Sequence, residues 1–97
     1  MIDQLTEEQV ARFNADGFLI LPKLIERDEA EAVAARFEGL FKGKFETGLY
    51  PDEWNWQEGR DRPDRTRQIC NGWKSDRTVA SLVLRREVGK LCAQLAG

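Results

Sequence analysis

The 97-residue chain contains no histidine. That absence excludes a Ser-His-Asp triad, a Cys-His pair, an imidazole zinc site and the two-His-one-carboxylate iron site within these residues. Cysteine is scarce: Cys70 and Cys92 stand 22 positions apart with no CxxC pattern. Neither a metal knuckle nor a disulfide framework is indicated, and a reduced, cytoplasmic setting is expected. Long apolar runs are missing as well, since Phe18 to Leu21 is the longest and a membrane span needs about 20 residues. Met1 to Glu8 has neither a basic start nor an apolar stretch, so it does not read as a secretory signal. Positive charge is not in surplus either. A formal net charge of -2 argues against a nucleic-acid-binding domain that works by overall charge and leaves only local patches for neutralising phosphates. The eight glycines form no GxGxxG or GxxxxGK[ST] loop.

What is present is the composition of one globular segment, 41% hydrophobic and 33% charged. Thr6 and Gln9 fit a capping box, with Leu5 placed to staple onto Val10, and they predict a helix over Glu7 to Ala15 closed by Gly17. Phe18-Leu19-Ile20-Leu21, stopped by Pro22, reads as a short strand buried on both faces. Ala30, Val33, Ala34, Phe37, Leu40 and Phe41 recur at spacings of three and four and predict a helix from Arg27 to Lys42. Glu26, Asp28, Glu29 and Glu31 complement its dipole, which is a sufficient reason for their position. A second short strand is expected at Thr66 to Cys70. Asp76 is a good N-cap for a helix carrying Val79, Leu82 and Val83, and a last helix follows with Leu84, Val88, Leu91, Cys92 and Leu95 on one stripe. Cys92 is expected in the core.

Between Gly43 and Asp64 there is no sustained period, yet Tyr50, Trp54 and Trp56 fall there. Loops this long usually have a task or a surface to pack on. The tryptophans either anchor the loop on the core or face a ligand. Residues Glu58 to Arg67 carry four arginines and three acids, a sum of +1. Such a run reads as a salt-bridged, solvated loop or as a small-anion site.

The expected fold class is α+β and mostly helical, with three to four helices and two short strands in residues 1–97 as a single segment. Two such strands do not make a stable sheet alone, and a Gly after the last helical turn normally hands the chain to another element. The reading therefore expects the amino-terminal part of something larger.

The block from Leu5-Thr6-Glu7-Glu8-Gln9-Val10 through Phe13 and Asp16-Gly17-Phe18-Leu19-Ile20-Leu21-Pro22 resembles the amino-terminal signature of the phytanoyl-CoA dioxygenase family. The order of the later elements is similar too, including Ile69-Cys70-Asn71-Gly72-Trp73-Lys74-Ser75-Asp76. The resemblance implies the amino-terminal helical segment of a double-stranded β-helix (jelly-roll) oxygenase that uses Fe(II) and 2-oxoglutarate to hydroxylate a small organic substrate. The family's His-x-Asp motif and distant second His are absent from residues 1–97. It follows that this segment alone binds neither cofactor and is inactive, and that its partner is a carboxy-terminal barrel of the same protein. By the same resemblance, Gln68 or Arg67 contacts the cosubstrate, while Tyr50, Trp54 and Trp56 form a substrate-facing rim. A regular strand would point Gln68 and Arg67 to opposite faces, so only one could line the site. The alternative is a small helical protein-interaction module that uses the Tyr50 to Trp56 loop.

Overall fold

A computed structural model describes all 97 residues. The elements are α1 (Glu7–Asp16), α2 (Arg27–Phe41), β1 (Glu53–Trp54), β2 (Ile69–Cys70), a single 3₁₀ turn (Gly72–Lys74), α3 (Arg77–Val83) and α4 (Arg86–Ala96). The chain is α+β and mostly helical. No helix is long and apolar enough to cross a membrane.

The helix starts follow their caps. At α1 the Thr6 hydroxyl accepts from the Gln9 N–H at 3.1 Å and the Gln9 side chain accepts from the Thr6 N–H at 2.9 Å. Gly17 closes the helix in the left-handed region at φ 83°, its N–H donating to the Phe13 carbonyl. At α3 the Asp76 carboxylate accepts from the Thr78 and Val79 N–H groups at 2.9 and 3.0 Å. Asp76 is almost fully buried, and Arg36 of α2 donates to its second oxygen at 2.8 Å. Arg36 also reaches Glu46 at 3.0 Å, and Glu46 accepts from the Arg77 N–H at 2.6 Å. One guanidinium thus ties α2, the following loop and the first turn of α3 together.

The ends of the chain are held by a second clip. Leu5 is buried, and its N–H and C=O are both paired with the Gln94 side chain, at 2.8 and 2.9 Å. Lys90 and Asp3 add an ion pair at 3.2 Å. Arg85, at the junction of α3 and α4, pairs with Glu29 at 2.5 Å.

The core is small. Its fully buried apolar side chains are Leu5, Leu40, Trp56, Val79 and Leu91, and they are spread along the molecule. The body measures 49 × 24 × 24 Å with a radius of gyration of 16.2 Å, against about 13 Å for a compact domain of this length. Its accessible surface is 7164 Å², whereas a compact monomer of this mass exposes about 5,700 Å².

Three sequence expectations are corrected. Phe18 to Leu21 forms no buried strand: Phe18 is 60% and Ile20 74% exposed, and the N–H groups of these four residues donate to nothing in the chain. Leu19 and Leu21 are half-buried, but nothing within these residues covers Phe18 and Ile20. Cys92 is exposed rather than core, because α4 turns Leu91 inward and leaves the next residue toward solvent. Leu84 is not on the α4 stripe; it caps α3 and is 62% exposed.

Candidate functional site

The two short strands place the candidate residues. Glu53 lies opposite Cys70 and Trp54 opposite Ile69 in an antiparallel pair. One step further the Asn55 N–H donates to the Gln68 carbonyl at 2.8 Å, which carries the register on to Trp56 opposite Arg67. Side chains alternate across a ladder. Trp54, Trp56, Arg67 and Ile69 therefore share the face turned toward α2, and Glu53, Asn55, Gln68 and Cys70 share the other.

On the α2 side the aromatics are fastened. The Trp56 indole is 4% exposed and its Nε1–H donates to the Arg62 carbonyl at 3.0 Å. The Arg67 guanidinium lies over the same indole, 3.8 Å from a ring centre, and 5.8 Å from the Phe41 ring. Such a stack engages the cation with the ring quadrupole. Trp54 donates from Nε1 to the Phe41 carbonyl at 3.3 Å and meets Phe45 edge-on at 5.3 Å. Tyr50 also meets Phe45 edge-on, at 5.1 Å, but is 74% exposed. Tyr50 and Trp54 are thus brought together around Phe45, while Trp56 is set apart beneath Arg67. The loop is anchored on the core by its two tryptophans, and Tyr50 alone of the three candidate rim residues stands open.

The opposite face is polar. Asn55, Gln68, Arg60, Asp61, Arg65 and Thr66 line an open cleft of about 540 Å³ that has no apolar wall. Asp61 organises it: its carboxylate accepts from the Gln57 N–H at 2.7 Å, from Arg60 Nε and Nη2 at 3.2 and 2.9 Å, and from Arg65 Nη1 at 3.3 Å. The Arg60 hydrogen bonds outweigh the cost of partial burial and hold the Asp61 carboxyl below its ordinary range. Nearby, Gln68 Nε2 approaches Cys70 Sγ at 3.7 Å and the thiol approaches Glu53 at 3.6 Å. Burial, reinforced by the Glu53 carboxylate, pushes the Cys70 thiol up, so it is a poor nucleophile near neutral pH.

A third polar cluster closes the turn after β2. Asn71, at φ 56°, donates to Asp52, and Lys74 Nζ reaches the same carboxylate at 2.7 Å. These two bonds, Lys74 first, draw the Asp52 carboxyl down. Trp73 Nε1 donates to Asn71 at 3.2 Å.

Iron does not fit these residues. With no histidine in the chain, and no three Cys, Asp or Glu side chains converging on one point, the donors for a facial iron triad are not assembled here. Of the two residues that the resemblance connects with the cosubstrate, Gln68 faces the open cleft and Arg67 is committed to Trp56. The positions that sequence reading did not single out are Asn55 and Asp61. Asn55 had no signal, because its role comes from pairing with Gln68 across a 13-residue separation. Asp61 was visible only as one acid among four arginines. No known protein family, curated protein or solved structure matches the chain.

Proposed function

We propose that residues 1–97 form the amino-terminal helical segment of an Fe(II)- and 2-oxoglutarate-dependent oxygenase similar to the phytanoyl-CoA dioxygenases. In that reading the segment buttresses one face of a jelly-roll barrel that supplies the iron ligands, and works in the cytoplasm on a small organic substrate. The observation that carries it is the apolar Phe18 to Leu21 segment, whose N–H groups are unpaired and whose Phe18 and Ile20 side chains stand open to solvent. Such a strand edge is a template for another strand. It lies inside the Leu5 to Pro22 block that bears the family resemblance. The surplus of about 1,500 Å² over a compact monomer supports the same reading, since a standard interface takes only about 800 Å² from each partner. Gln68 is the cosubstrate-facing residue of the pair, because Arg67 is held on the opposite face.

The interaction-module reading has less support, since Trp56 is buried and Trp54 half-buried, which leaves Leu49 and Tyr50 as the large apolar side chains exposed there. The test begins with the coding sequence beyond the Gly97 codon. A His-x-Asp motif is expected there, and the protein extended through it, supplied with Fe(II), is expected to convert 2-oxoglutarate to succinate, with Gln68→Ala raising KM for 2-oxoglutarate. A reading frame without that motif overturns the proposal.

A further inference from the structure

The four arginines of residues 60 to 67 do not behave alike. Arg67 is stacked on Trp56, and Arg62 is paired with Asp64 at 2.8 Å. Arg60 and Arg65 instead converge on one carboxylate, Asp61, whose side chain is 11% exposed while theirs are 65% and 68% exposed. Asp61 receives four hydrogen bonds, one from Gln57 and three from the two guanidinium groups. A carboxylate offers about four acceptor positions, and Asp61 is engaged at both oxygens, three times at Oδ2 and once at Oδ1, and is shielded from solvent. A guanidinium carries five N–H groups. Arg60 uses two of them on Asp61 and Arg65 uses one, which leaves most of the donors of both side chains for another acceptor. The local sum of two cations and one anion is +1.

These two side chains share the walls of the cleft with Asn55, Thr66 and Gln68, and apolar side chains are absent from it. A cleft with that lining rejects an apolar ligand and suits a small, fully polar one. Asp61 holds the two guanidinium groups at fixed positions before any ligand arrives, which lowers the ordering cost of binding. We propose that this cleft is a binding site for an oxyanion, a carboxylate or a phosphate, gripped by Arg60 and Arg65 and oriented by the neutral amides of Asn55 and Gln68. The cleft shares Gln68 with the proposed cosubstrate contact, but both of its cations lie within residues 1–97 and its test needs neither iron nor a barrel.

The experiment is a titration of the 97-residue chain with sodium phosphate and, separately, sodium acetate at pH 7. Ionic strength is held constant with chloride, and binding is followed through the backbone amides of Gln57, Asp61 and Thr66 and the Arg side-chain Nε signals. Saturable shifts with Kd in the millimolar range are expected for at least one anion. Arg60→Gln and Arg65→Gln are each expected to weaken it about tenfold, as loss of a charge-assisted bond implies. Arg62→Gln leaves Kd within about twofold, because Arg62 is paired with Asp64 outside the cleft. Arg65→Lys, which keeps the charge, separates an effect of charge from one of folding and retains part of the affinity. Binding of phosphate alone identifies a phosphate-bearing ligand, and binding of acetate alone identifies a carboxylate. Absence of saturable shifts with both anions up to 50 mM overturns the proposal, as does an affinity unchanged in Arg60→Gln and Arg65→Gln.

Discussion

Replacing Asp76 by Ala removes the acceptor around which α2 and α3 are joined. The Asp76 side chain is 1% exposed and accepts from Thr78 N–H, Val79 N–H and Arg36 Nε at 2.9, 3.0 and 2.8 Å. Loss of an N-cap costs about 1–2 kcal/mol. Val79 is itself buried, so its orphaned N–H adds about 1 kcal/mol. Arg36 is half-exposed and recovers its solvation in water, so its share is small. The sum is about 2–3 kcal/mol, which for a chain of this length lowers Tm by about 10–20 °C. That is a large part of the total stability when only nine of 97 residues are buried. Urea unfolding followed by tryptophan fluorescence reads it directly. Asp76→Asn keeps an oxygen for the cap but sets an NH2 group where Oδ2 accepts from Arg36, so it loses the charge and that one hydrogen bond and is expected to cost less than Asp76→Ala. An Asp76→Ala midpoint within 0.5 kcal/mol of the parent, or an Asn variant as damaged as the Ala variant, refutes the reasoning. Burial pushes this carboxyl up, but the Val79 N–H and the Arg36 guanidinium outweigh it and leave the group below its ordinary value. Its folded pKa is therefore lower than the unfolded value of about 3.9. The stabilisation is present in full well above that value and is lost as pH falls through it toward the folded pKa. The stability difference between parent and Asp76→Asn is expected to shrink over that window.

Two further outcomes follow from the geometry. Gly43→Ala forces a side chain into the left-handed region at φ 80° and sets its Cβ 2.9 Å from the Trp54 ring; it is expected to destabilise by about 1–3 kcal/mol and shift the tryptophan emission, and an unshifted spectrum with unchanged stability contradicts the packing described. Gln94→Ala removes both hydrogen bonds to Leu5; at about 1 kcal/mol for each, stability falls by about 2 kcal/mol and the Leu5 amide exchanges faster, whereas retained Leu5 protection shows that the clip is not what holds it.

The helices were legible because their signals are local. Thr6, Gln9 and Asp76 cap helices where the sequence placed them, and the stripe from Val33 to Phe41 lies within one helix. The failures came from pairings between distant residues. Glu53-Trp54 has no alternating pattern of its own and becomes a strand only against Ile69-Cys70. Phe18 to Leu21 shows the converse: apolar composition indicates what a segment would gain by burial, but burial needs a neighbour. At α4 the stripe identified Leu91, while the residue that clips the amino terminus is Gln94, a polar side chain that periodicity ignores. In the candidate site, strand alternation separated Arg67 from Gln68 correctly. Counting charges could not separate the stacked Arg67 from the two arginines gathered by Asp61.

The clip between Leu5 and Gln94 joins residues 89 positions apart. Its two halves meet during synthesis only after α4 has been made, about 4–18 s after Leu5 at ribosomal rates of about 5–20 residues per second. Throughout that interval Leu5 and the start of α1 lack their tertiary partner, next to the exposed side chains of Phe18 and Ile20. The nascent chain therefore presents Phe18 and Ile20 to solvent early and gains the contact that fixes Leu5 only once α4 has been made.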